Sequence, residues 1–347
     1  MTGPYLMSEL RASCESKQLA VIGAGSWGTA LSLVAAANHH HVRIWAREEE
    51  VARSIQQTGR NPFYLSEFDL PGSVTATTSI EEALSGAEYC VIVVPSHAMR
   101  EVVTHLREYL TGDSVIVTAT KGVENKTLMR MSEVIKDVCQ SRFQPQIVVL
   151  SGPSFAREVA KGDPTAVVAA CASRELAERV QQEFSSHLFR IYTNCDEVGV
   201  ELGGAVKNVV AIAAGVVRGL GFGTNSAAAI VTRGLAEMTR LALAAGGRPE
   251  TLAGLAGLGD LVLTCTGELS RNRHVGFELG RGRKLAEILS SMREVAEGVN
   301  TTRAIRDLGH SLNVEMPITE SVHALLYEDK PAIEAANDLM DRPLKRE

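Results

Sequence analysis

A glycine-rich turn near the start of the chain limits its fold more than any other segment. The apolar run Leu19–Ile22 leads directly into Gly23-Ala24-Gly25-Ser26-Trp27-Gly28, and a helix-like stretch follows to Asn38. In a G-x-G-x-x-G pattern between a strand and a helix, each glycine answers a separate need. The first permits a tight turn, the second lets the backbone approach a pyrophosphate, and the third lets the helix settle on the strand. The helix N-terminus then offers unpaired N–H groups and a partial positive charge to phosphates. The segment predicts a dinucleotide site on Gly23, Gly25 and Gly28. A structural glycine turn is the plainer alternative.

Downstream spacing extends this reading. His41–Trp45 reads as a second strand, and Tyr89–Val94, Ser114–Thr118 and Gln146–Leu150 as buried strands. Helical stretches such as Ser96–Tyr109 and Thr127–Cys139 lie between them, so the pattern is βαβ and the sheet mostly parallel. Thr165–Ala170 and Phe189–Thr193 flank a helix over Arg174–Phe184. From Asp196 onward strand signals vanish and helical stretches dominate. The expected organisation is a tail over 1–17, a Rossmann-type dinucleotide-binding domain over 18–195 and an all-α domain over 196–340. At 347 residues, two domains fit the length.

The end of the second strand should meet the adenosine ribose. An NAD-selective site usually carries an acid about 20 residues beyond the glycines. Here Arg47 comes first and suits a 2′-phosphate. Glu48-Glu49-Glu50 read as the acidic first turn of a helix. NADP, or use of both NADH and NADPH, is expected, with a solvated strand-end charge as the bland reading of Arg47. Lys121 and the turn Gly152-Pro153-Ser154-Phe155-Ala156 fall at strand C-terminal ends, where open α/β sheets bind ligands.

The helical half contains misplaced charges. Val198–Val217 is rich in Gly, Ala and Val, yet Lys207 and Asn208 stand in its middle. A buried lysine is costly unless paired or needed, and burial makes it a usable proton donor. Lys207 therefore reads as a catalytic acid/base, or as a salt-bridge partner of Glu201. Asp260 and Thr264 are four residues apart and would share a helix face, available to orient Lys207 or Asn208. An N-cap or a core ion pair is the plain reading of Asp260. Ser270-Arg271-Asn272-Arg273 reads as an anion pocket or a solvated basic turn. His39-His40-His41 read as surface residues.

Composition excludes other classes. Charges of 35 Lys+Arg against 41 Asp+Glu give −6, which argues against a nucleic-acid or membrane-coating protein. Hydrophobic residues at 45% indicate an ordinary globular core. The longest uninterrupted apolar run, Val209–Val217, is too short to span a bilayer, and the N-terminus has no signal-peptide core. Six scattered cysteines give neither a zinc pattern nor a disulfide framework. The expected setting is the cytoplasm, with no metal site.

Taken in order, these segments resemble the bacterial NAD(P)-dependent sn-glycerol-3-phosphate dehydrogenases. The resemblance rests on Gly23–Ala30, Asn61-Pro62-Phe63-Tyr64-Leu65, Lys121-Gly122, Ser151–Ala156 and Gly162–Val167. It continues through Lys207-Asn208, Gly259-Asp260-Leu261, Ser270–Arg273 and Glu297-Gly298-Val299, and spans about residues 18–320. It implies a fold similar to that of 6-phosphogluconate dehydrogenase and the NAD(P)H-dependent reduction of dihydroxyacetone phosphate to sn-glycerol 3-phosphate, supplying phospholipid synthesis. Lys207 would be the acid/base, organised by Asp260, Thr264 and Asn208. Ser270, Arg271 and Asn272 would bind the substrate phosphate, and Lys121, Gly152 and Ser154 the substrate. Ser26, Trp27, Arg47, Lys121, Ala156, Arg271, Val295 and Glu297 would contact the cofactor. A homodimer is expected. A hydroxyacid or ketopantoate-type reductase and a non-catalytic dinucleotide sensor stay open as rivals.

Overall fold

A computed structural model describes residues 16–292 and 296–344. The first strand, β1 (Gln18–Ile22), is wholly apolar after Gln18 and lies at the centre of a sheet. It feeds α1 (Ser26–Ala37), then β2 (His41–Trp45), α2 (Glu49–Thr58), β3 (Val74–Thr77) and α3 (Ile80–Leu84). β4 (Tyr89–Ile92) and a 3₁₀ turn at Ser96–Ala98 lead to α4 (Met99–Leu106), β5 (Val115–Thr118) and α5 (Met131–Cys139). β6 (Gln146–Ser151), α6 (Ala156–Lys161), β7 (Thr165–Ala170), α7 (Arg174–Phe184) and β8 (Phe189–Asn194) complete the αβ half.

The eight strands run in the order β3-β2-β1-β4-β5-β6-β7-β8. Every pairing is parallel except β6 with β7. The mostly parallel sheet read from the sequence is therefore present. The order reverses between β1 and β4, which opens a crevice at their C-terminal ends. Both faces of the sheet are covered. Val21, Ile44 and Val117 enter one apolar layer, and Ile22, Ile92 and Ile116 the other. Strands buried on both faces read as continuous apolar runs, which is why they were visible in the sequence.

After β8 the chain becomes helical. Asp196 caps α8 (Glu197–Gly219) by accepting from Gly199 N at 2.8 Å. Then come α9 (Thr224–Ala244), α10 (Pro249–Leu252), a π-helical turn at Leu255–Gly259, α11 (Asp260–Thr266) and α12 (Arg271–Gly280). α13 (Leu285–Ser290), α14 (Glu297–Ser311), α15 (Pro317–Tyr327) and α16 (Ala332–Met340) close the chain. α8 is long and apolar enough to cross a membrane by length and hydropathy, but that stretch is entirely buried among its neighbours. It is the core rod of the helical half. Its contact with α12 is backbone to backbone: a Cβ on Gly215 would stand 2.1 Å from Arg273 O, and one on Gly276 1.9 Å from Ile212 O. This close approach presses the head of α12 against the middle of α8.

Two readings need correction. His40 is fully buried, not a surface residue; its ring bonds Glu183 O at 3.0 Å, whereas His39 and His41 are exposed. Glu201 does not pair with Lys207. The two are six residues apart on α8, which separates them by roughly a third of a turn. Of the tail over 1–17, residues 1–15 lie outside the described residues.

Candidate active site

The C-terminal ends of β1, β4 and β5 and the heads of several helices enclose a cleft of about 800 Å³. The glycine turn forms one wall. A Cβ on Gly28 would lie 1.9 Å from Gly23 O, so only glycine lets α1 seat on the turn. A Cβ on Gly25 would meet nothing within 4 Å, because this position faces the open cleft. Gly25 has no side chain with which to cap α1, and the first turn of the helix borders the cleft. Asn61, completely buried, braces the turn from behind. Its Nδ2 donates to Ala24 O at 2.8 Å and to Thr29 Oγ1 at 3.0 Å, while its Oδ1 accepts from Phe63 N and Tyr64 N. Asn-Pro marks a turn in the sequence, but nothing local links it to Ala24, so this brace was missed.

A charged network crosses the floor. Lys207 Nζ on α8 donates to Asp260 Oδ1 at 2.6 Å and to Thr264 Oγ1 at 2.8 Å. Thr264 Oγ1 in turn donates to Asp260 O at 2.6 Å. Lys121 Nζ, from the loop after β5, donates to the other oxygen, Asp260 Oδ2, at 2.7 Å and to Gly152 O at 3.2 Å. One buried carboxylate thus holds two ammonium groups from opposite halves of the chain. Burial drives the Lys207 pKa down to about 8; Asp260 opposes that fall and Lys121 adds to it. Cys265, next to Thr264, has its thiol pushed up to about 12 by burial and is inert.

The opposite wall is the head of α12. Ser270 is its N-cap, accepting from Arg273 N at 3.2 Å. Arg271 and Asn272 border the cleft. Arg273 does not: it points the other way, donating to Gly267 O at 3.0 Å and lining a separate cavity beyond α12. The anion pocket read as two guanidiniums therefore has one, since residues two apart on a helix diverge by about 200°. Asn272 Nδ2 donates to Asn208 Oδ1 at 2.9 Å. Glu297, at the head of α14, has its pKa raised by burial and pulled back by Arg271, Lys121 and Lys207.

Most of the sequence-derived residues converge here. Gly23, Gly25, Ser26, Trp27 and Arg47 border the cleft on the nucleotide side, and Ser154 and Ala156 on the side of α6. Lys121, Lys207, Asn208, Thr264 and Ser270 border it with Arg271, Asn272 and Glu297. Asp260 lies behind the two lysines, and Gly152 contributes only its carbonyl to Lys121. Val295 lies outside the described residues. Arg47 is exposed and pairs with Glu48 at 2.8 Å. Glu49 and Glu50 sit in the first turn of α2, as read.

The α1 N-terminus at the cleft, the clearance at Gly25 and the guanidinium at the end of β2 fit a nicotinamide dinucleotide. Fold and site together define a two-domain NAD(P)-dependent oxidoreductase. Comparison with known proteins makes this specific. The family model for the NAD-dependent glycerol-3-phosphate dehydrogenase N-terminus matches residues 18–177, and that for its C-terminus matches residues 196–337. The chain belongs to the NAD-dependent glycerol-3-phosphate dehydrogenase family. It is 57% identical to glycerol-3-phosphate dehydrogenase [NAD(P)+] of Koribacter versatilis over 94% of this chain and 97% of that one. It is 52% identical to the Myxococcus xanthus enzyme of the same name, over 94% and 98%. The crystal structure of glycerol-3-phosphate dehydrogenase from Coxiella burnetii superposes with a TM-score of 0.91 at 40% identity, covering 94% of this chain and 99% of that one.

Proposed function

We propose that the chain reduces dihydroxyacetone phosphate to sn-glycerol 3-phosphate, reversibly, with Lys207 as the proton donor. The observation that carries this is the Lys121–Asp260–Lys207 network at the floor of a cleft shared with the glycine turn. When bound, the reduced nicotinamide supplies a hydride to the ketone carbon. As negative charge develops on the ketone oxygen, the Lys207 ammonium stabilises it and gives up a proton, leaving an alcohol and a neutral amine. Asp260 and Thr264 accept from Lys207 and aim it. Lys121 bridges the nucleotide and substrate sides. Arg271, with Asn272 and Ser270, holds the phosphate and so orients the ketone far from the bond being made. Gly152 and Ser154 shape the substrate side.

On the nucleotide side, Gly23, Gly25 and Gly28 form the pyrophosphate cradle. Ser26, Trp27, Ala156 and Glu297 contact the cofactor, with Lys121 and Arg271 between cofactor and substrate. Arg47 meets a 2′-phosphate, which favours NADPH while leaving NADH usable. The chain divides into a dinucleotide-binding domain over 18–195 and a substrate domain over 196–340, a reading supported by family-model matches over 18–177 and 196–337. Supply of glycerol 3-phosphate for phospholipid synthesis, a homodimer and a cytoplasmic setting complete the reading. Unpaired cysteines support the last: four of the five described are buried.

The test is loss of reduced-nicotinamide absorbance with dihydroxyacetone phosphate, using NADPH and NADH in parallel. Lys207→Ala should lose about 1,000-fold or more in kcat while still binding cofactor. Normal turnover by that variant would refute the proton-donor assignment. Failure of the wild-type chain to oxidise either cofactor would refute the reaction.

A further inference from the structure

The two ends of an amide side chain look alike, so its orientation must be read from partners that can only donate or only accept. One such partner stands at the head of α14. Gly298 N–H donates to Asn272 Oδ1 at 2.9 Å. That bond commits Asn272 to present its Nδ2 to Asn208, whose Oδ1 accepts at 2.9 Å. The Asn208 oxygen is then occupied, and its NH₂ group is left on a side chain that borders the cleft beside Lys207. Asn208 and Asn272 are only 4% and 8% exposed, so neither readily exchanges its partner for water. Neither can reverse alone. A turned Asn272 would set its NH₂ against the Gly298 N–H, and a turned Asn208 would oppose two NH₂ groups.

We propose that Gly298 is a positioning residue for the reaction: its backbone N–H fixes the polarity of Asn272 and, through it, turns the Asn208 NH₂ group toward an acceptor oxygen of the phosphorylated substrate. The relay closes only because residue 298 lacks a side chain. A Cβ there would lie 2.7 Å from Asn208 O and 2.8 Å from Asn272 Oδ1. Glu297 sits one residue earlier and also borders the cleft, so the relay ties the cofactor-facing head of α14 to the substrate side. The inference rests on the substrate site assigned above and adds to it Gly298 and a direction for both amides.

The test separates donor from acceptor at position 208. Asn208→Asp keeps the shape and still accepts from Asn272. Ionised, it offers the cleft only an acceptor; protonated, it offers an O–H donor again. Its kcat/KM for dihydroxyacetone phosphate relative to wild type is expected to be down about 100-fold near pH 8, typical for one lost donor. As the pH is lowered to about 5.5, the ratio should climb at least tenfold and pass above that of Asn208→Ala, which stays flat. An Asn208→Asp ratio that levels off at or below Asn208→Ala would mean relief of charge repulsion alone, and overturns the polarity. Gly298→Ala should lower kcat about tenfold while the cofactor Kd stays within about threefold. Unchanged kcat in that variant removes the assignment of Gly298. If Gly298→Ala fails to fold, the Asn208 series still decides. Turnover by wild type tests the underlying reaction separately, so active wild type with failed variants overturns only the relay.

Discussion

At the residue scale, Lys207 carries the chemistry because opposing influences leave it poised. Burial lowers its pKa, Asp260 raises it, Lys121 lowers it again, and the result is about 8. Below that pH the ammonium is available to protonate a ketone oxygen; above it the amine is available to accept from an alcohol. Initial rates of ketone reduction should fall as pH rises through about 8, and rates of alcohol oxidation should rise through the same range. Asp260→Asn removes the opposing carboxylate, so the limb should move to lower pH; a limb that stays or moves alkaline would refute the account. The spacing of Asp260 and Thr264 and the isolation of Lys207 in an apolar helix made these residues legible. Their partners were harder to read. Glu201 is near Lys207 in sequence but on another side of α8, while Asp260 is distant in sequence and 2.6 Å away. Arg271 and Arg273 read as a pair and diverge across α12. This split yields a second prediction. Arg271→Ala should cut kcat/KM for the phosphorylated ketone at least 100-fold, about 3 kcal/mol, in line with loss of charge-assisted hydrogen bonds to a phosphate. Arg273→Ala should leave it within about threefold. Equal losses in steady-state assays would return Arg273 to the phosphate site.

At the scale of elements, the turn after β1 is held by a segment that the sequence does not mark as its support. Asn61→Ala would strip partners from Ala24 O, Thr29 Oγ1 and the N–H groups of Phe63 and Tyr64. A buried group left unsatisfied costs roughly 1–3 kcal/mol. The variant should therefore melt at lower temperature and bind NADPH at least tenfold more weakly, as followed by quenching of Trp27 and Trp45, which both border the cleft. Full cofactor affinity in a destabilised variant would make Asn61 a core residue only. The plainest apolar runs are the strands buried on both faces, such as β1, β4 and β5. β3 has only four residues at the sheet edge and two of them are threonines, so no apolar run announces it. The helical stretch over 96–109 opens as a 3₁₀ turn at Ser96–Ala98 and continues as α4 only to Leu106. The π-helical turn before Asp260 has no periodic signature, yet it sets where the Asp260 carboxylate points.

At the scale of the molecule, the site exists only if the loop after β5 and the helix α8 keep their register, because Lys121 rides on one and Lys207 on the other. Asp260 joins them directly. A second tie lies farther along the same two segments. Glu201 of α8 accepts from Ser132 N at 2.8 Å, Ser132 Oγ at 2.7 Å and Arg130 Nη1 at 2.6 Å. Its partners are 69 and 71 residues away in sequence, and no local pattern connects them. Burial raises the Glu201 pKa while Arg130 and Ser132 pull it down, so the carboxylate depends on these bonds. Removing it leaves Ser132 N and Oγ unmatched in the interior, although Arg130 keeps Glu133 at 2.9 Å. Breaking one partner of a buried pair costs about 3–5 kcal/mol. Glu201→Ala should lose about that much in denaturant unfolding, whereas Glu201→Gln, which can still accept from Ser132, should lose less than half of it. The tie acts on Lys121 through the loop, so kcat for the phosphorylated ketone should fall with Glu201→Ala and largely return with Glu201→Gln. Loss of stability without loss of kcat in the folded fraction would show that Asp260 alone sets the register of the two lysines.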